Sequence, residues 1–292
     1  MLDAVRLGEM SDGTFAMTGR HDRLYLAWTG TDRHLNLAWS PDAREIIGKQ
    51  WLAQQSYKEV PASQGTAKVG VAPALAASGE QLHLAWMAAD QRLAGLRGWF
   101  SDVRYISILT DPENPHGAPV RLEEARSAHA PALCAHQGSL VLAWTGTDGH
   151  INLLARPESP HGEPVRLDPT WSQCMPALCS HQGSLVLART GDEGYISILT
   201  DPENPHGAPV RLEEARSAWA PALCSHQGSL VLAWTGTDGY INLLTGPENP
   251  HGEPVRLQEA RSQCAPALCS YQGSLVLAWR GTDRHLNLAR LR

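Results

Sequence analysis

Five tryptophans close LAW runs, at Trp28, Trp86, Trp144, Trp234 and Trp279, and four aspartates follow in GTD turns, at Asp32, Asp148, Asp238 and Asp283. An indole stacks on the apolar face of a sugar and still donates a hydrogen bond, while a carboxylate accepts from sugar hydroxyls. The repeated pair therefore predicts carbohydrate binding. Both types also have structural uses: a Trp between sheets is core, and an Asp in a turn caps its own backbone. Arg189 stands where a sixth Trp would fall. A guanidinium in a sealed core carries a large desolvation cost, so this position is expected to reach solvent in at least one repeat.

Two variable positions extend the candidate ligand set. The residue two before PALC is His129, Cys174, Trp219 or Cys264, and the one after the TDG-type turn is His150, Tyr195, Tyr240 or His285. Both lie near strand ends, where ligand contacts cluster. His129, His150, Trp219 and Tyr240 thus join the predicted site. The PHG histidines, His116, His161, His206 and His251, fall one per repeat in separate hairpin loops, too far apart to share an ion bound at about 2.1 Å. No metal and no cofactor are expected. Catalysis on a ring of near-copies needs a residue set that occurs once, which only insertions supply. The one holding Trp99, Phe100, Asp102 and Arg104 pairs no nucleophile with a base, so no enzyme is predicted.

These residues are positioned by repeats. PALC begins at Pro131, Pro176, Pro221 and Pro266, each 45 residues after the last, a propeller-blade period. The intervals Trp28 to Trp86 and Trp86 to Trp144 are both 58, so the first two repeats carry insertions, between Leu52 and Val71 and between Trp86 and Ile106. Each repeat reads as four strands: PALC, LVLAWTG, INLL and PVRL. QG, TDG and PENPHG break them, through the turn chemistry of Asn, Asp, Gly and Pro. LVLAW is apolar on both faces, as in a sheet packed between neighbours.

The expectation is an all-β fold, a single six-bladed β-propeller of four-stranded blades. The blades fall at about 14–60, 71–122, 129–167, 174–212, 219–257 and 264–292 plus 1–8. The last repeat lacks a PVRL strand, and Ala4, Val5, Arg6 and Leu7 supply a match, so the N-terminal strand is expected to join the last blade and close the ring. Residues 105–150 and 195–240 differ only at His129/Trp219, Ala135/Ser225 and His150/Tyr240, so a pair of repeats was copied as a unit.

A net charge of −6 without a basic run argues against nucleic acid and acidic membranes. No apolar run is long enough to span a bilayer, and the start has no signal-peptide pattern. The expected location is cytoplasmic, or outside the cell by an unconventional route. Cys134, Cys179, Cys224 and Cys269 recur at one place in successive repeats and read as buried free thiols, not disulfides.

The pattern PALxxxxGxLxLAWTGTD followed by LN, with SPDAREIIGKQ in the first repeat, resembles repeat propellers widespread in bacterial, especially actinobacterial, secreted and multidomain proteins. More distantly it is similar to propeller lectins, including fucose-binding families whose ligands sit between blades near aromatic residues. The SxDxGxTW turn of sialidase propellers is absent. The resemblance implies a multivalent, lectin-like module whose partners are glycans or glycoconjugates. The alternatives are a protein-interaction scaffold that docks its partner at the loop 87–104, and a glycosidase-like enzyme on fold analogy alone.

Overall fold

The computed structural model describes residues 3–32, 34–51, 72–88, 104–114, 117–127, 129–159, 162–203, 208–247 and 252–291. Most of both insertions and the four PHG histidines lie outside these residues. The described chain folds into 23 strands and one short 3-10 turn. The first strands are β1 (Asp3–Arg20), β2 (Arg23–Gly30), β3 (Leu35–Ser40) and β4 (Ile47–Trp51). Next come β5 (Ala74–Ser78), β6 (Gln81–Ala88), β7 (Arg104–Thr110) and β8 (Val120–Ser127), then β9 (Ala132–His136), β10 (Ser139–Thr145), β11 (His150–Ala155) and β12 (Val165–Trp171). They are followed by β13 (Ala177–His181), β14 (Ser184–Thr190), β15 (Tyr195–Thr200) and β16 (Val210–Arg216), and by β17 (Ala222–His226), β18 (Ser229–Thr235), β19 (Tyr240–Thr245) and β20 (Val255–Arg261). The last are β21 (Ala267–Tyr271), β22 (Ser274–Arg280) and β23 (His285–Leu291).

The fold is an all-β propeller, but the expected six separate four-stranded blades are corrected. With each hydrogen-bonded sheet taken as a blade there are five: four of four strands, and one of seven in the order β21-β22-β23-β1-β2-β3-β4. The physical reason is β1, an uninterrupted 18-residue strand. Its first half pairs antiparallel with β23, Ala4 opposite Ala289 and Val5 opposite Leu288. Its second half pairs with β2, Phe15 opposite Trp28 and Met17 opposite Leu26. Register breaks between Arg6 and Met10 and between Ser11 and Phe15 let the strand change course, since bulges bend a strand and add twist. The wide sheet turns back on itself, so Phe15, Met17 and Trp28 pack with Ala278, Leu286 and Leu288.

The four QG hairpins follow from two residues each. Between β9 and β10, Gln137 and Gly138 both adopt positive φ, 47° and 75°. That is the type I′ turn whose twist matches paired strands. Gln182–Gly183, Gln227–Gly228 and Gln272–Gly273 repeat it. Neighbouring sheets are tied at this end by His136 to Ser180, His181 to Ser225 and His226 to Ser270, each 2.9 Å from Nδ1 to Oγ.

All six cysteines are free. Burial pushes the Cys134 and Cys269 thiols up to about 12 and that of Cys179 to about 11, and raises Cys224 as well. A raised folded-state value leaves stability intact below the ordinary thiol range near 9.0. Stability is then lost as pH climbs from there through the folded values, because the unfolded chain releases its protons first. A thiol reagent at pH 8 is expected to label the folded protein slowly and all six thiols at once after unfolding; fast labelling of the four repeated thiols in the folded state would contradict their burial.

Candidate functional site

The repeated indoles are core. Trp28, Trp86, Trp144, Trp234 and Trp279 are only 0–4% exposed. Each points at the preceding strands in the ring: Trp144 packs with Ala85, Ile106 and Ile108, and Trp234 with Ala188, Ile196 and Ile198. For any of them to stack on a sugar, the sheets would have to part. Arg189 follows the expected logic of solvent access. It is partly exposed, its guanidinium donates to the Trp171 carbonyl, and burial lowers its pKa.

The turn aspartates already make contacts within the fold. One oxygen of each accepts the N–H two residues on, in Asp32 to His34, Asp148 to His150, Asp238 to Tyr240 and Asp283 to His285, at 3.0–3.1 Å. The other oxygen meets a cation in three of them: Arg166 at 2.9 Å for Asp148, Arg256 at 3.1 Å for Asp238 and Arg6 at 2.8 Å for Asp283. The His285 N–H, with Arg6 behind it, holds Asp283 below the usual carboxylate range. His150 is enclosed by Asp148, Asp168 and Arg166. Tyr240 lies between two guanidiniums, with Arg256 at 3.9 Å and Arg261 at 4.7 Å from its ring centre. His129 is half-buried, with its pKa lowered by desolvation.

Trp219 is different: its side chain stands out of the fold, at 43% exposure. Its backbone is pinned, for its N–H donates to Ser217 Oγ and its carbonyl accepts from Thr190 Oγ1, both at 2.9 Å. The indole is thus held at a fixed origin and is partly open to solvent. It borders a cleft of about 510 Å³ at the GTD-turn end, between the β17–β20 sheet and the wide sheet. Asp238, Gln263, Thr282, Arg261 and Arg280 also line it. Of the predicted site, Trp219 and Asp238 meet here, with Tyr240 behind Arg261, whereas His129, Asp148 and His150 belong to the β9–β12 sheet.

Arg261 and Arg280 were missed by sequence reasoning. The signal for Arg280 was available, because LAW is followed by Thr at 29, 145 and 235, LAR by Thr190 and the second LAW by the apolar Met87, but in the last repeat LAW is followed by Arg. A second cleft of about 570 Å³ lies at the opposite end, beside His136, Arg156, Asp201 and Glu203. Its Asp201 already accepts from Leu185 N and Ser184 Oγ. Among the described residues no group of three or more His, Cys, Asp or Glu could hold a metal ion. No helix among them is long and apolar enough to cross a membrane.

No protein-family model matches the chain, and no curated protein sequence matches it. Solved structures do. Trypanosoma rangeli sialidase superposes with a TM-score of 0.66 at 9% identity, covering 97% of this chain but only 55% of its own, so this chain spans about half of that enzyme. AofleA from Arthrobotrys oligospora superposes at 0.64 with 10% identity, over 100% of this chain and 86% of its own. The SapL1 lectin, solved in complex with α-methyl fucoside, gives 0.64 at 10% identity, over 97% and 94%. At such identities the likeness is one of fold. The chain is similar to propellers of both lectins and sialidases.

Proposed function

We propose that this propeller binds carbohydrate without catalysis, through one dominant cleft centred on Trp219. The observation that carries the reading is an exposed indole on a pinned backbone at the mouth of a cleft, in a ring whose other repeated indoles are sealed. An aromatic face with polar groups around it suits a pyranose, which has an apolar face and a rim of hydroxyls. Matched length adds support, since the SapL1 lectin aligns over nearly all of both chains. A binding role also fits the cleft's one carboxylate, Asp238, which Tyr240 N and Arg256 already hold.

The test is a glycan array with labelled wild-type protein and Trp219→Ala. Losing the stacked indole is expected to cost about 1.5–3 kcal/mol of binding, roughly ten- to a hundredfold in affinity. The melting temperature should stay within about 1 °C, because substitutions at exposed positions rarely exceed ±0.5 kcal/mol. Unchanged array hits in the variant, or a blank array for the wild type, would sink the proposal.

A further inference from the structure

In a ring of near-copies, departures from the repeat that meet in space mark the place where symmetry was given up. Two such departures meet at the cleft. Trp219 replaces the His or Cys of its counterparts, and Arg280 replaces a threonine. Those threonines join neighbouring sheets, for Thr145, Thr190 and Thr235 donate to the carbonyls of Cys174, Trp219 and Cys264 in the connections that lead into the next sheet, at 2.7, 2.9 and 2.7 Å. Arg280 makes only a long 3.5 Å contact to the Ser11 carbonyl in its place, and its Nε is buried with no hydrogen-bond partner among the described residues. The exchange weakens a joint between sheets and puts a guanidinium in the cleft wall.

The charge balance there is positive. Arg261 and Arg280 line the cleft with a single carboxylate, Asp238, which is spoken for by Arg256 and the turn. A guanidinium presents a planar fork of donors that matches a carboxylate, and charge-assisted bonds of this kind are the strong ones. Beside an exposed indole, that chemistry fits a pyranose carrying a carboxylate. Resting on the carbohydrate reading above, we propose that the Trp219 cleft selects acidic sugars of the uronic-acid type over their neutral parents, with Arg280 as the selecting residue.

The experiment is calorimetric titration of the full chain with methyl glucuronide and methyl galacturonide, and with methyl glucoside and methyl galactoside. Arg280→Thr is the variant of choice, because other repeats already fold with Thr at this position. At least one acid is expected to bind about tenfold tighter than its neutral parent, as charged hydrogen bonds of this size imply. The advantage should shrink with added salt and disappear in Arg280→Thr, so that each acid then binds no tighter than its neutral parent. Equal affinity within each pair, or an acid preference that survives Arg280→Thr, overturns the inference. If a neutral glycan binds through Trp219 and neither acid is preferred, acid selection fails and the carbohydrate reading stands. If Trp219→Ala alters no glycan binding at all, both fail.

Discussion

Replacing Trp144 with alanine is expected to destabilise the fold by about 3–5 kcal/mol and to leave sugar binding in the folded protein unchanged. Trp144 is 2% exposed and fills the layer between β10 and the strands β6 and β7. Truncating a large buried aromatic loses its transfer free energy and leaves a cavity that neighbours refill only in part. With an unfolding entropy near 2.1 cal/mol/K per residue, a chain of this size should melt roughly 5–8 °C lower. Trp219→Ala should give the reverse pattern, with binding lost and melting kept. The pair separates two uses of one residue type. A Trp144 variant that melted like wild type but no longer bound glycans would return the site to the sheet interior.

Removing residues 1–10 is the second large effect, about 5 kcal/mol of stability and roughly 8–10 °C in melting temperature. The deletion strips β23 of its outer partner, removes the buried Leu7 from the core, and takes away Arg6, which bonds Asp283 at 2.8 Å. His285 also loses its 3.0 Å contact to the Leu7 carbonyl. An unpaired β23 is a new sheet edge, and such edges recruit other chains. Dimers or aggregates should therefore appear by size-exclusion chromatography. A truncated chain that stays monomeric with an unshifted transition would contradict the pairing at the seam.

Much of the architecture was legible in the sequence because the physics repeats with it. QG and VRL recur at the spacing of 45, and β9, β13, β17 and β21 begin one residue after each PALC proline. The number of sheets was not legible. Residues 4–7 could be matched to the missing last strand of the final repeat, but nothing in VRLGEMSDGTFAMTGR announces that the same strand runs on to pair with β2 and merge the two sheets. The orientation of the LAW indole was hidden for a related reason. LVLAW is apolar on both faces, so its pattern cannot separate a face against the next sheet from one that opens at a rim. Turn aspartates look alike whether they cap, pair or wait for a ligand, and only the folded arrangement puts Arg6, Arg166 and Arg256 against them. What the repeat could show is where it fails, and Trp219 was visible on that ground. Arg280 was equally visible, as the one arginine at a place where four counterparts carry threonine and one carries Met87.

The seam also sets a schedule. Arg6 and Asp283, which meet across it, are 277 residues apart in the chain. At about 5–20 residues per second, a ribosome takes roughly 15–55 s to supply the second partner after the first. Through that interval the first half of β1 has no partner strand, and the ring can close only when its last strand arrives, the kind of distant pairing that slows folding. Closure of the ring is therefore timed by translation, and the first half of β1 is the segment a chaperone has most reason to hold.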